Sequence, residues 1–313
     1  MSIAICPIFR YDKGTTTNHK KLYTKGVIQM SKNIYQMITD RFIEELEKGV
    51  IPWQKGWHGV RSGAYNRVSK KPYSLLNQMM LQHQGEYATF NQWSALGGTI
   101  KKGSKSEIVV FWKIQPIEET KEDGTKEVKQ VPILRYFNVF HISCVDGVEP
   151  LDVAELTELE PIAEAERIKE EYKNRENIDI REIITNDAFY SPSRDIIEVP
   201  CKEQYTDISE FYSTLFHEMV HSTGHKSRLD RLDTSINSRF GSETYSKEEL
   251  VAEIGSATIL NMLGIETAKT FKNSTAYLQS WLRVLKNDNR FIISASSKAE
   301  KAVNYILNTE VEG

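Results

Sequence analysis

A chain of 313 residues that is 40% hydrophobic can fill two ordinary cores, and a formal net charge of -3 excludes a globally basic nucleic-acid binder, so any cationic surface has to be local. No stretch approaches the roughly 18 apolar residues of a membrane span, and no apolar segment with a small-residue cleavage site stands at the start, so no membrane partner and a cytoplasmic location are expected. The three cysteines, Cys6, Cys144 and Cys201, lie far apart without a C-x-x-C, which fits a reducing compartment and excludes a cysteine zinc site.

Residues 1–29 show no periodicity and carry the polar run TTTNHKK; they read as a disordered leader, with Met30 as an alternative start. From Ser31 onward Ile34, Met37, Ile38, Phe42 and Leu46 recur at helical spacing, and Gly49 ahead of Pro52 supplies the stop.

Between Lys55 and Lys113 nine basic residues face two acidic ones, Glu86 and Glu107, with eight aromatics interleaved, so the segment is locally +7. Cations that track phosphates, alternating with aromatic faces on which unpaired bases stack, suit a single strand. Trp57, Arg61, Arg67, Lys70, Lys71, Tyr73, Lys101, Lys102 and Lys105 are the candidates for contacting single-stranded DNA. The same composition is compatible with a solvated basic face over an ordinary core. Phe90 and Trp93, between a Thr89 N-cap and Gly97-Gly98, read as helix core, and Val109 and Phe111 against Val110 and Trp112 alternate as in a strand. The turn GGTIKKGSKS lacks the spacing of a nucleotide-binding loop.

Two strand-like runs, IVVFWKI and VPILRYFNVFHI, flank the charged stretch Glu118 to Lys129 around Asp123-Gly124, which predicts a hairpin with a long polar loop. Helix, helix and paired strands make residues 30–150 an α+β first domain. Eight acidic residues between Glu149 and Glu170 mark a change of composition, and residues 151–160 read as an acidic linker to a second domain over 161–313.

The second domain opens with a helix from about Ile162 to Asn174, then a short strand, IIEV, bounded by Pro192 and Pro200. At a sheet edge that strand could pair with an extended substrate. The stretch SEFYSTLFHEMVHSTGH follows, in which His217, Glu218 and His221 spell H-E-x-x-H. Residues four apart share one helix face, so both imidazoles can reach one metal ion, and zinc suits the pair. Glu218, rotated off that stripe, can take a proton from an attacking water, as metal-assisted hydrolysis requires. Ile208, Phe211, Tyr212, Leu215, Phe216, Met219 and Val220 form an apolar stripe beside the ligands, and Gly224 offers a stop.

A catalytic zinc takes three protein ligands and keeps an open position. Glu249 and Glu253, i and i+4 in YSKEELVAEIGSA, can both face the site, one as ligand and the other holding a histidine from behind. Ser246 and Glu249 also spell a capping box, which would use Glu249 at a helix start. His225 is a rival ligand, although it misses the metzincin spacing. Tyr190, Tyr212 and Tyr245 are phenols able to stabilise an oxyanion, with core packing the alternative use of each.

Taken together the motifs resemble the ArdC-type antirestriction proteins of conjugative plasmids and other mobile elements. The resemblance runs through ITDRFIEELEKGVIPWQKGW, KPYSLLN, TFNQW, GGTIKKGSKSEIVVFWK and YFNVFHI, then AFYSPSRDIIEVP, FYSTLFHEMVHSTGHKSRLDR and YSKEELVAEIGSA. It implies an α+β chain of two domains: an N-terminal single-stranded-DNA-binding domain and a C-terminal, mainly helical zincin-like metallopeptidase domain. It implies His217 and His221 as zinc ligands, Glu218 as the catalytic glutamate, Glu249 as third ligand and Glu253 behind it, where an aspartate often stands. The expected function is protection of incoming element DNA during conjugation, with a protein or peptide as hydrolytic substrate. Two alternatives are a DNA-binding protein whose zinc is structural, and a plain zinc peptidase with an accessory domain.

Overall fold

In a computed structural model, the structure describes residues 34–54, 63–120, 125–151, 160–232, 243–265 and 274–309. The expected leader, the tip of the hairpin with Asp123-Gly124, and residues 152–159 of the expected linker lie outside them.

Residues 34–47 form the first helix, α1, with Ile34, Ile38, Phe42 and Leu46 buried along one side. Gly49 follows at φ 76°, a left-handed conformation that a side chain disfavours, and the helix ends there. Then come β1 (Ala64–Asn66), α2 (Leu75–Met80), β2 (Gly85–Ala88), α3 (Phe90–Ala95), β3 (Thr99–Ile100), β4 (Glu107–Thr120), β5 (Lys126–His141) and β6 (Val145–Asp146). A four-stranded sheet has the order β1-β2-β5-β4, with β1 parallel to β2 and the other pairs antiparallel. Strands β3 and β6 form a separate antiparallel pair.

Helix α3 starts where the sequence predicts: Thr89 accepts from the Gln92 backbone and the Gln92 side chain returns to the Thr89 backbone, a complete capping box. Trp93 is fully buried and donates its indole N–H to Phe140 O at 2.9 Å. Phe90 departs from the expectation of helix core; it is 56% exposed, because the first residue after the cap faces outward. Strand alternation also fails at 109–112. Val109 and Val110 are both buried, whereas Phe111 and Trp112 are 45% and 52% exposed, so the ribbon is covered on both faces at one point and half open on both just beyond.

The second half contributes α4 (Pro161–Glu176), β7 (Asp179–Ile183), β8 (Phe189–Ser191), β9 (Ile196–Pro200), α5 (Ile208–Thr223), α6 (Glu243–Leu263), α7 (Ser274–Asn287) and α8 (Phe291–Leu307). The small sheet has the order β7-β9-β8. The IIEV strand, β9, is therefore central, and the edge position falls to β8 and β7.

The main core runs through both halves without a break. Ile38, Phe42 and Leu46 of α1 belong to the same buried cluster as Phe216, Leu250, Ile292 and Val303. Trp53 meets Trp281 edge-to-face with ring centroids 5.3 Å apart, and Asn261 donates to Trp53 O at 3.1 Å. Backbone needs are met across the same seam. Ser74, the N-cap of α2, makes no side-chain capping bond, and the Leu75 N–H donates instead to Glu300 of α8 at 2.8 Å.

Candidate functional site

Helix α5 is the rod on which the site is built. Phe211, Tyr212, Leu215, Phe216, Met219 and Val220 are all at most 1% exposed, so burial fixes its rotation, while Ile208 at the start is 39% exposed. Asp207 accepts from the Ser209 N–H at the N-terminus, and the helix ends at Thr223 with Gly224 as C-cap. A side chain at Gly224 would meet Leu232 Cγ at 2.7 Å, so the returning chain needs this residue small.

Helix α6 crosses α5 closely because Gly255 presents no side chain; a Cβ there would stand 2.8 Å from a Val220 methyl. This brings Glu249 onto the H-E-x-x-H face. The Nε2 atoms of His217 and His221 lie 3.1 Å apart, and each is 3.5 Å from a Glu249 oxygen. The donor atoms of the three side chains all fall within 4.8 Å of one another. Ser246 sits inside α6 and bonds Ser280 at 2.8 Å, so the capping-box use of Glu249 does not arise. His225 bonds Ser227 on the surface instead of joining the group.

Carboxylates stand behind both rings. Glu253 lies 3.8 Å from His217 Nδ1, an electrostatic contact, and Glu248 lies 3.3 Å from His221 Nδ1. Acceptors at Nδ1 keep a proton there, so a cation that displaces the Nε2 protons would meet both Nε2 lone pairs turned toward one point. Burial opposes charge on His217 and His221, yet Glu249 beside the first and Glu248 with Glu249 beside the second outweigh it, raising both, His221 to about 10. Burial pushes the Glu249 carboxyl up, but the two histidines pull it well below the usual range; for Glu253 burial wins and its carboxyl is raised. The pocket thus calls for positive charge where two imidazoles and a carboxylate converge. That donor set fits a divalent cation of the zinc type, and the residues present fit the implied metal. Glu218 is buried on α5 between the two histidines in sequence.

Glu248 and its partner Arg231 escaped the sequence reading. Glu248 stands one residue from Glu249, about 100° around the helix, and Arg231 reaches it from the loop after α5, which no spacing rule links to it. Of the phenols, Tyr190 donates to Asp195 and Tyr212 to Glu166, both at 2.7 Å, so these two hydroxyls are already engaged.

The nine residues singled out for DNA contact fall into distinct settings. Arg67 is paired with Glu86 and nearly buried, Tyr73 is 5% exposed, and Lys101 donates to Ser143 O at 2.9 Å. Lys70, Lys71, Lys102 and Lys105 are exposed. Trp57 and Arg61 lie outside the described residues. No helix among the described residues is long and apolar enough to cross a membrane.

Comparison with known proteins agrees with this architecture. Residues 32–140 match the N-terminal domain of anti-restriction factor ArdC, and residues 166–298 match a zincin-like metallopeptidase domain. The crystal structures of antirestriction protein ArdC from plasmid R388, metal-free and Mn(II)-bound, superpose with TM-scores of 0.69 and 0.70 at 32% identity. They cover 88% of this chain and 99% and 97% of those chains. The uncharacterized protein y4eC of Sinorhizobium fredii is 32% identical, with 89% of this chain and 92% of that protein aligned. Two DNA primases TraC of Escherichia coli are 32% and 31% identical over 90% of this chain, which spans only 28% and 20% of their length. The chain belongs to the ArdC antirestriction family, with an ArdC N-terminal domain followed by a zincin-like metallopeptidase domain.

Proposed function

We propose that this chain binds single-stranded DNA through its first half and carries a zinc-dependent peptidase site in its second, as an antirestriction protein of a mobile element. The observation that carries the hydrolytic part is the convergence of His217 and His221 with Glu249 from a second helix into one group of donors within 4.8 Å. These three residues would hold the zinc, with Glu253 behind His217. When bound, zinc acts as a Lewis acid toward a scissile carbonyl. Glu218 takes the proton of the attacking water and passes it to the leaving amine. Support for the DNA part comes from the match to the ArdC N-terminal domain, from relatives named as DNA primases, and from the locally basic, aromatic segment 55–113. The first half of the chain would follow the strand, and the second would act on a protein met at the DNA.

The test is metal analysis of the purified chain together with a peptide-library digest, repeated with Glu218→Gln. Stoichiometric zinc with cleavage lost in Glu218→Gln is the expected result. Full cleavage by that variant would refute the base assignment, and a chain that unfolds without metal yet never cleaves a peptide would mark the zinc as structural.

A further inference from the structure

A cavity of about 780 Å³ opens in the first half between the turn after β1, the start of α3 and the β4–β5 ribbon, a volume in the usual range for a small-molecule site. Its floor is apolar, from Val109 and Val139, each 1% exposed. Its walls carry three phenylalanines that the core leaves out, Phe90, Phe111 and Phe137, at 56%, 45% and 46% exposure. Phe111 and Phe137 stand edge-to-face with centroids 6.0 Å apart, and Phe111 lies 6.1 Å from the buried Tyr73 ring, so packing holds this aromatic wall in place.

The remaining wall is made of amides. Asn66 Oδ1 accepts the Val68 and Ser69 N–H groups at 3.0 Å, which fixes the side chain and leaves its NH₂ with only long contacts, 3.4 Å each to Tyr73 and Gln92. Gln92 Oε1 is held by the Thr89 cap at 2.9 Å. Among the described residues neither the Gln92 NH₂ nor the Asn138 side chain has a hydrogen-bond partner. Exposed Lys71 stands at the lip, and exposed Lys70 precedes it on the same turn.

Aromatic faces, fixed amide donors and a cationic lip are complementary to one kind of group: a flat heteroaromatic ring with hydrogen-bonding edges, tethered to a phosphate. An apolar peptide would leave the amides unpaired, and a duplex keeps its bases stacked inside. We propose that this cavity seats an unstacked nucleobase of single-stranded DNA against Phe111 and Phe137, with Asn66, Gln92 and Asn138 at its edge and the backbone on Lys70 and Lys71. The assignment rests on the single-strand reading given above and adds the place where a base is held.

The test is fluorescence anisotropy of the full chain with a labelled oligo-dT of about 16 nucleotides, the upper site size for one small binding module, and with a strand of equal length made of abasic sugar-phosphate. The wild type should bind the abasic strand more weakly, by about 5- to 150-fold for each base seated. Phe137→Ala should lose a similar factor on oligo-dT and little on the abasic strand, with an unchanged salt slope, and Phe137→Tyr should restore binding. Both positions are half-exposed, so folding should survive; Phe111→Ala provides the second variant. Wild-type affinity for oligo-dT in both alanine variants would overturn the base site while the single-strand reading stood. No oligo-dT binding by the wild type would overturn both. Protection of Phe111 and Phe137 by an apolar peptide, with DNA binding unaffected, would assign the cavity to a protein partner and overturn the proposal.

Discussion

Arg231 grips both oxygens of Glu248, with Nη2 2.7 Å from Oε1 and Nε 3.0 Å from Oε2. The same guanidinium donates to Val220 O at 2.8 Å and to Thr223 Oγ1 at 3.0 Å, so the loop after α5 is clipped to the end of the helix that carries His221. Glu248, fixed this way, orients the His221 ring from its Nδ1 side. Removing such a support characteristically lowers metal affinity by about 10–100-fold. Glu248→Gln and Arg231→Gln should both show that loss for Zn²⁺ and Mn²⁺ in chelator competition, with helicity by circular dichroism retained. Unchanged affinity in both would mean that His221 needs no support.

Gly255 makes a second prediction, and two opposing magnitudes decide its sign. Alanine gains about 1 kcal/mol of helix propensity over glycine, whereas overfilling a packed contact costs about 1–3 kcal/mol. With a Cβ only 2.8 Å from Val220 Cγ2 on the neighbouring helix, overpacking should win. Gly255→Ala is expected to lower Tm, and Gly255→Val to lower it further and weaken metal binding by displacing Glu249. A Tm rise for Gly255→Ala would show that α6 can withdraw without penalty.

Acid should act through Glu166. Burial pushes its carboxyl up, but bonds from Lys169, Lys202 and Tyr212 outweigh this and hold it down at about 2. A depressed carboxylate stabilises the fold above its unfolded pKa, and that contribution disappears as pH falls through the folded value. Stability supplied by this cluster should therefore be complete above about pH 4.5 and fade toward pH 2. Denaturant titrations of Glu166→Gln should show lower stability at pH 7 and a shallower acid limb than wild type; an unchanged acid limb would place the sensitivity elsewhere.

Glu300 has the opposite sign. Burial dominates and raises its carboxyl, even though the Leu75 N–H bond favours the ionised form. A raised carboxylate favours folding below its pKa and loses that advantage as pH rises through it, so its charge is a liability at neutral pH. Glu300→Gln keeps an acceptor oxygen for the unfilled N-terminus of α2 and should match or exceed wild type at pH 7. Glu300→Ala leaves the Leu75 N–H without that acceptor and should cost about 1–3 kcal/mol. Equal losses in both variants, by thermal melts at pH 7, would contradict this division.

What could be read from the residues was what depends on neighbours in sequence. His217 and His221 share a face by helix period, Glu249 and Glu253 by the same rule, and Thr89 and Gln92 lock a helix start three residues apart. What could not be read depends on the partner across space. The basic segment gave equal weight to Arg67 and Lys102, yet Glu86 occupies the first and leaves the second exposed. Phe90 carries an apolar label in any sequence scale, but its place beside the cap turns it outward. Glu248 had no spacing to announce it, because its importance comes from an arginine on another segment.

The buried seam between α1, Trp53 and helices α6 to α8 has a thermodynamic consequence. Two segments that match separate domain families share one apolar interior, so neither can open without exposing the other, and the chain should melt in a single transition. Anything that binds the native state at either end then stabilises the whole, by about 2.7 kcal/mol at a hundredfold excess over Kd. A cation held between α5 and α6 would thereby protect the sheet of the first half from proteolysis, with no change of shape passing between them.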